Sequence, residues 1–186
     1  MIKMKKILFT MLCLLTLSSA QAQTKAEQLK EIRQLYAKAK DKVAQNGKKA
    51  PNKHFQLVLN NKNEDSPFPW KEIVDIYFDE VLEVSGDMPL RGEGAYFMTR
   101  KFTHGDIDIY QEWLFDMEDL GKPVFAYQCQ QQNDGTKLES RYYWNNYELI
   151  EVKSNDRDSD PEGAFMLRYA QEYIQVFNTI ANRNWE

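Results

Sequence analysis

The hydrophobic period of this chain changes twice, and where it changes limits the fold more than any other feature. From Thr24 to Asn46 the apolar residues Leu29, Ile32, Leu35, Tyr36, Ala39 and Val43 recur every three or four positions, with Gly47 after them. That is the pattern of an amphipathic helix with a glycine stop. After Pro161 the residues Phe165, Tyr169, Tyr173, Val176, Phe177 and Ile180 repeat the spacing to about Asn182. They predict a second helix, with Pro161 tolerated in its first turn and Asp158 and Asp160 suited to its positive end. Between the helices the period is two: Phe55, Leu57 and Leu59, then Val74, Ile76 and Phe78, then Ile107, Ile109, Trp113 and Phe115. Such alternation predicts strands.

Turn formers break this region at Ser66-Pro67-Phe68-Pro69, Gly86 to Gly94, His104-Gly105-Asp106, Glu118 to Pro123, Asn133-Asp134-Gly135 and Asn145-Asn146. The breaks leave about seven strands joined by short connections. Short connections favour an antiparallel meander, and helices confined to the ends of the sequence favour α+β over parallel α/β. The expected fold is therefore α+β, an antiparallel β-meander of about seven strands with an N-terminal and a C-terminal helix packed on one face. A weak repeat supports it: Tyr77-Phe78-Asp79, Leu114-Phe115-Asp116 and Tyr143-Trp144-Asn145 are each expected to end a strand. Alternation turns Phe78, Phe115 and Trp144 toward the apolar side with Ile76, Trp113 and Tyr142, and turns Tyr77, Leu114 and Tyr143 away.

The first 22 residues read differently. Lys3, Lys5 and Lys6 precede an apolar run from Ile7 to Leu17, and Ala20-Gln21-Ala22 supplies small side chains at its end. This is the pattern of a secretory signal peptide cut after Ala22. The run falls well short of the roughly 20 residues a membrane-spanning helix needs. Cys13 lies inside the run after Thr10, Met11 and Leu12, which does not suit lipid anchoring. The expected mature protein is a single exported, soluble domain of residues 23–186, periplasmic or extracellular.

Cleavage leaves 21 basic and 28 acidic residues, a net charge of −7, which disfavours nucleic acid as a partner. It also leaves Cys129 as the sole cysteine, so no internal disulfide can form and the core must hold the fold alone. Charge is uneven along the chain. Residues 24–53 carry nine basic and three acidic groups, whereas residues 54–186 carry 12 basic and 25 acidic, a net of −13. Compensation between a basic helix and an acidic body accounts for that division.

The signal peptide, the short N-terminal helix, hairpins such as Glu112-Trp113-Leu114-Phe115-Asp116 and the closing helix together resemble uncharacterised secreted proteins of Bacteroidetes. The resemblance implies export and agrees with an α+β fold. It brings no activity that could be transferred to particular residues.

Catalytic vocabulary is scarce, with two His and two Cys, and no nucleophile elbow, phosphate loop or zinc-spaced cluster. Asp156, Asp158 and Asp160 stand at every second position, as at the start of a calcium-binding loop, and are the candidate metal ligands, for Ca²⁺. The rest of such a loop is missing, since its sixth position is Pro161 and its twelfth Leu167. The other candidate is the sheet face turned away from the apolar side, where Tyr77, Tyr110 and Tyr143 stand with Asp75, Glu112, Glu139 and Arg141. Aromatic rings beside charged groups suit a sugar ring or a protein partner, and Tyr77, Tyr110, Glu112, Arg141 and Tyr143 are the expected binding residues. The same residues also serve as ordinary cross-strand pairs. Cys129 reads as an inert thiol, and acidic pairs such as Asp79-Glu80 fall in predicted turns rather than a cleft. The functional expectation is an exported, non-enzymatic binding or interaction module for a protein or glycan. The alternatives are a secreted carboxylate-dependent hydrolase and a structural module with a calcium-tied linker.

Overall fold

The computed structural model describes residues 24–45, 53–61, 70–85, 88–117 and 121–181. The signal segment 1–22, Gly47 and the Ser66–Pro69 break lie outside them. Helix α1 (Lys25–Ala44) is followed by seven strands, β1 (Lys53–Asn61), β2 (Trp70–Ser85), β3 (Met88–His104), β4 (Ile107–Asp116), β5 (Lys122–Gln131), β6 (Lys137–Asn145) and β7 (Glu148–Ser154), and then by helix α2 (Ala164–Ala181). The strands form one open sheet in sequence order, each antiparallel to the next. The α+β meander expected from the alternation is the fold that forms.

Backbone contacts divide the described residues within α1, between Glu31 and Ile32. In the first unit Thr24 and Glu27 make a capping box: the Thr24 amide donates to Glu27 Oε2 at 2.9 Å and the Glu27 amide to Thr24 Oγ1 at 3.3 Å. The Thr24 amide and hydroxyl both hold the Glu27 carboxyl below its ordinary range.

In the second unit a row of side chains runs across all seven strands on each face of the sheet. One row is Phe55, Ile76, Met98, Trp113, Ala126, Tyr142 and Val152. Its five central members are buried, and α2 lies on them through Met166, Ala170 and Phe177. Large rings such as Trp113 and Trp144 are fully enclosed here, and each such side chain stabilises the fold by roughly 1.5–3 kcal/mol. The opposite row is His54, Tyr77, Phe97, Leu114, Phe125, Tyr143 and Glu151. Here α1 packs from Ile32 onward, with the Tyr36 ring 4.7 Å from that of Phe125 and 6.1 Å from that of Phe97.

The two helices therefore cover opposite faces, not one face as the sequence suggested. The reason is visible in the second row: Phe97, Leu114 and Phe125 are as apolar as the first row and are buried, so both faces need a cover. A second correction concerns Gly86–Gly94, expected as a break. Strand β3 begins at Met88 and stays in register with β2 from Ser85–Met88 to Asp79–Gly94, so only a short connection separates the strands.

The three repeated triplets have a structural meaning beyond the one expected. A register shift falls between Tyr77 and Phe78, between Leu114 and Phe115, and between Tyr143 and Trp144. Each is a β-bulge in which the partner strand carries one extra residue, and bulges bend strands and increase twist. The second and third triplets end their strands as expected. The first does not, because β2 continues to Ser85.

Candidate functional site

Cross-strand alternation assigns Tyr77, Tyr110, Glu112, Arg141 and Tyr143 to the α1 face, but α1 encloses part of that set. Glu112 is 2% exposed, and its carboxylate accepts hydrogen bonds from the Tyr36 and Tyr110 hydroxyls and, at 2.6 Å, from the Lys40 ammonium. Burial, followed by the bond to Glu112, pushes both tyrosine pKa values well above the ordinary range. Tyr143 is buried, with the Arg33 guanidinium 5.7 Å from its ring centroid. Tyr77 is half-buried, stacked on His54 at 4.8 Å, and His54 Nε2 lies 2.8 Å from Asp75 Oδ1. Arg141 lies over the Tyr127 ring and pairs with Glu139, whose Oε1 accepts the Tyr127 hydroxyl at 2.6 Å. Of the five predicted residues, Tyr110 lines an open concavity. That groove, of about 480 Å³, is also lined by Lys71, Ile73, Lys101, Thr103, Asp108 and Cys129.

Asp156, Asp158 and Asp160 do not converge. Among the described residues no group of three acidic, His or Cys side chains could hold a metal ion. Asp156 Oδ1 accepts the Asp158 amide at 3.0 Å, and Asp160 accepts the Glu162 and Phe165 amides at 3.1 and 2.8 Å. These carboxylates order the loop and satisfy donors at the start of α2, which is the usual work of Asp before a helix.

The same loop forms one wall of a cleft of about 390 Å³ on the α2 face. Gln111, Gln128 and Gln130 form its sheet side, and Tyr142, Phe165, Met166 and Tyr169 contribute apolar and aromatic surface. Gln111 Nε2 donates to Gln128 Oε1 at 2.6 Å, which fixes the orientation of the Gln128 amide. Phe165 stands at the start of α2 and is 57% exposed, and the Arg168 guanidinium lies 5.4 Å from its ring and 5.5 Å from that of Tyr169. Among the described residues that line this cleft none is Lys or Arg.

Behind the cleft lies a buried polar cluster. Arg100 grips Glu72 with two hydrogen bonds of 2.7 and 2.9 Å and donates to Gln111 Oε1 at 3.0 Å. The Tyr173 hydroxyl also donates to Glu72, and the Phe102 and Tyr169 rings flank the guanidinium at 4.0 and 4.6 Å. This cluster anchors Gln111, and Gln111 anchors Gln128. A sequence signal for it existed: Glu72, Arg100, Gln111 and Gln128 stand at positions whose alternation partners Val74, Met98, Trp113 and Ala126 face the core. Polar residues at core-facing positions mark a site or a buried network.

No protein-family model, curated protein or solved structure matches the chain. Among the described residues no helix is long and apolar enough to cross a membrane.

Proposed function

We propose that this protein is an exported, non-enzymatic binding module whose partner is a glycan, held in the cleft between the Asp156–Gly163 loop, α2 and the sheet. The single observation that carries this reading is the lining of the cleft, which joins planar amides and a carboxylate to an exposed aromatic ring. Amide and carboxylate groups match the adjacent hydroxyls of a sugar ring, and the C–H face of the ring stacks on an aromatic side chain. Gln128 and Gln130 supply the amides, Asp158 a carboxylate, and the exposed Phe165 ring the aromatic platform. A volume of about 390 Å³ suits one or two sugar units and lies in the range of about 300–1,000 Å³ for small-ligand sites.

Two features favour holding over cleaving. The carboxylates of Asp156 and Asp160 are engaged by backbone amides of their own loop. The Gln111–Gln128 pair is fixed by the buried Arg100, which gives a rigid recognition surface rather than a mobile one. Export rests on residues 1–22, and N-terminal sequencing of the secreted chain should begin at Gln23.

The test is calorimetric titration of the full chain with neutral oligosaccharides and peptidoglycan fragments. Saturable binding of one glycan class is expected, with Phe165→Ala and Gln128→Ala each weakening it by about tenfold, the value of one contact worth roughly 1.4 kcal/mol. Absence of binding to every glycan at millimolar concentration would overturn the reading. Binding unaffected by both substitutions would overturn the assignment to this cleft.

A further inference from the structure

We infer that the groove on the α1 face is a second, independent binding site, and that it takes an amphiphilic anion: a monomeric carboxylate carrying an apolar chain. The inference starts from register. Lys101 stands opposite Tyr110 and Tyr110 opposite Cys129, one side-chain row beyond Glu112, while Ile73 opposes Lys101 from β2. Ile73, the Tyr110 ring and Cys129 thus give the groove an apolar floor that crosses four strands. Val58, opposite Ile73 on the edge strand β1, is 47% exposed and prolongs that floor.

The walls carry charge opposite to the net charge of residues 54–186. Lys71 and Lys101 line the groove, and among the described residues neither is in an ion pair. Among the described lining residues Asp108 is the one acid, and it accepts the Thr103 hydroxyl at 2.9 Å. Residues 54–186 carry a net charge of −13, so a concavity with two cations and one acid is a local exception that selects anions. The Lys101 ammonium lies 5.6 Å from the Tyr110 ring centroid, directly beside the apolar floor.

A simple anion would satisfy the lysines and leave Ile73, Tyr110 and Val58 wet; a neutral apolar molecule would leave the lysines unused. A ligand with both parts uses the whole lining, with its carboxylate between the two ammonium groups and its chain over Ile73 and Cys129. The Glu112 carboxylate does not compete for this ligand, because Tyr36, Lys40 and Tyr110 already surround it.

Cys129 supplies a local reporter. Half-buried in the groove, it should be alkylated by neutral iodoacetamide when the groove is empty and shielded when it is filled. The experiment measures the rate of Cys129 alkylation in the full chain by peptide mass spectrometry, with decanoate below its micelle concentration, decyltrimethylammonium or acetate as probe. Decanoate is expected to slow the reaction saturably, with little effect from the other two. In Lys71→Gln and Lys101→Gln the half-protecting concentration should rise by about tenfold, the effect of losing one charge-assisted hydrogen bond. Both lysines are exposed, and an unchanged thermal midpoint in each variant verifies the fold. Equal protection by the cationic amphiphile would overturn the anion selectivity, equal protection by acetate would overturn the apolar part, and no protection by decanoate would overturn the site.

Discussion

Glu112 and Trp113 are neighbours on β4 that hold the two helices to opposite faces of the sheet. Glu112 receives Tyr36 and Lys40 of α1, whereas Trp113 Nε1 donates to the Met166 carbonyl of α2 at 2.8 Å. Because successive strand residues point to opposite faces, one dipeptide at the centre of the sheet serves both layers. Glu112→Ala should cost about 2–3 kcal/mol by leaving two part-buried tyrosine hydroxyls without an acceptor. Trp113→Phe should cost about 1–3 kcal/mol, through the Met166 carbonyl and the lost ring volume. Urea unfolding checks both, and hydrogen exchange should show the first opening α1 and the second opening α2.

The tyrosines on the α1 face make the fold sensitive to alkali. Burial, then the bond to Glu112, raises Tyr36 and Tyr110 above the ordinary tyrosine value, and burial lifts Tyr96 to about 12. Tyrosine in an unfolded chain ionises near pH 10, so above that pH the folded state binds more protons than the unfolded state. Stability contributed by these groups is complete below about pH 10 and falls as pH rises through the raised folded values. Chemical denaturation at a series of alkaline pH values should show this fall. Tyr36→Phe should lower stability by about 1 kcal/mol at neutral pH and make the alkaline decline shallower, and a slope equal to wild type would sink the assignment to Tyr36.

The arrangement of elements was legible in the sequence because each signal for it is local. Alternation marked the strands, three- and four-residue spacing marked both helices, and turn formers at His104–Asp106 and Asn145–Asn146 marked hairpins. The facing of the helices was not legible, since an apolar residue on either side of a strand contributes equally to a one-dimensional pattern. Phe97, Leu114 and Phe125 needed a cover that the meander alone could not reveal. The triplets at Phe78, Phe115 and Trp144 could be seen as a repeat, but their coincidence with bulges depends on where partner strands carry an extra residue. The Thr24–Glu27 capping box at the start of α1 emerged from the structure, where the Thr24 and Glu27 amides are each met by the other's side chain. As for the sites, Tyr110 was singled out from its face, whereas the cleft depends on α2 and the Asp156–Gly163 loop meeting Gln128, which are far apart in sequence.

The Glu72–Arg100 pair should behave differently when broken and when replaced. Both side chains are nearly inaccessible and joined by two hydrogen bonds, so Arg100→Leu alone leaves the Glu72 carboxylate buried with, among the described residues, only Tyr173 as partner. A loss of about 3–5 kcal/mol is expected. The double variant Glu72→Met with Arg100→Leu removes both charges and should recover most of that loss, since apolar replacement of a buried pair is often neutral. Denaturant midpoints of the two single variants and the double variant measure the coupling. Glycan affinity should fall even in the stable double variant, because Gln111 then loses the donor that orients it.

Gly163 joins the stability of α2 to the shape of the cleft. Its φ is +65°, and a Cβ there would come within 2.9 Å of Tyr142 Cδ1 and 3.0 Å of Trp144 Cζ2, two rings enclosed in the core. Neither ring has room to retreat, so Gly163→Ala carries both the left-handed backbone cost of roughly 1–2 kcal/mol and a packing cost of about 1–3 kcal/mol. A loss of about 2–5 kcal/mol is expected from denaturant unfolding. The damage should not be uniform. The Gly163 carbonyl accepts the Leu167 amide at 3.0 Å and Asp160 accepts the Phe165 amide, so displacement of this residue shifts the first turn of α2 and the Phe165 ring with it. Gly163→Ala should therefore weaken glycan binding while leaving decanoate protection of Cys129 on the opposite face unchanged, and parallel loss of both would mean that the two sites are not independent.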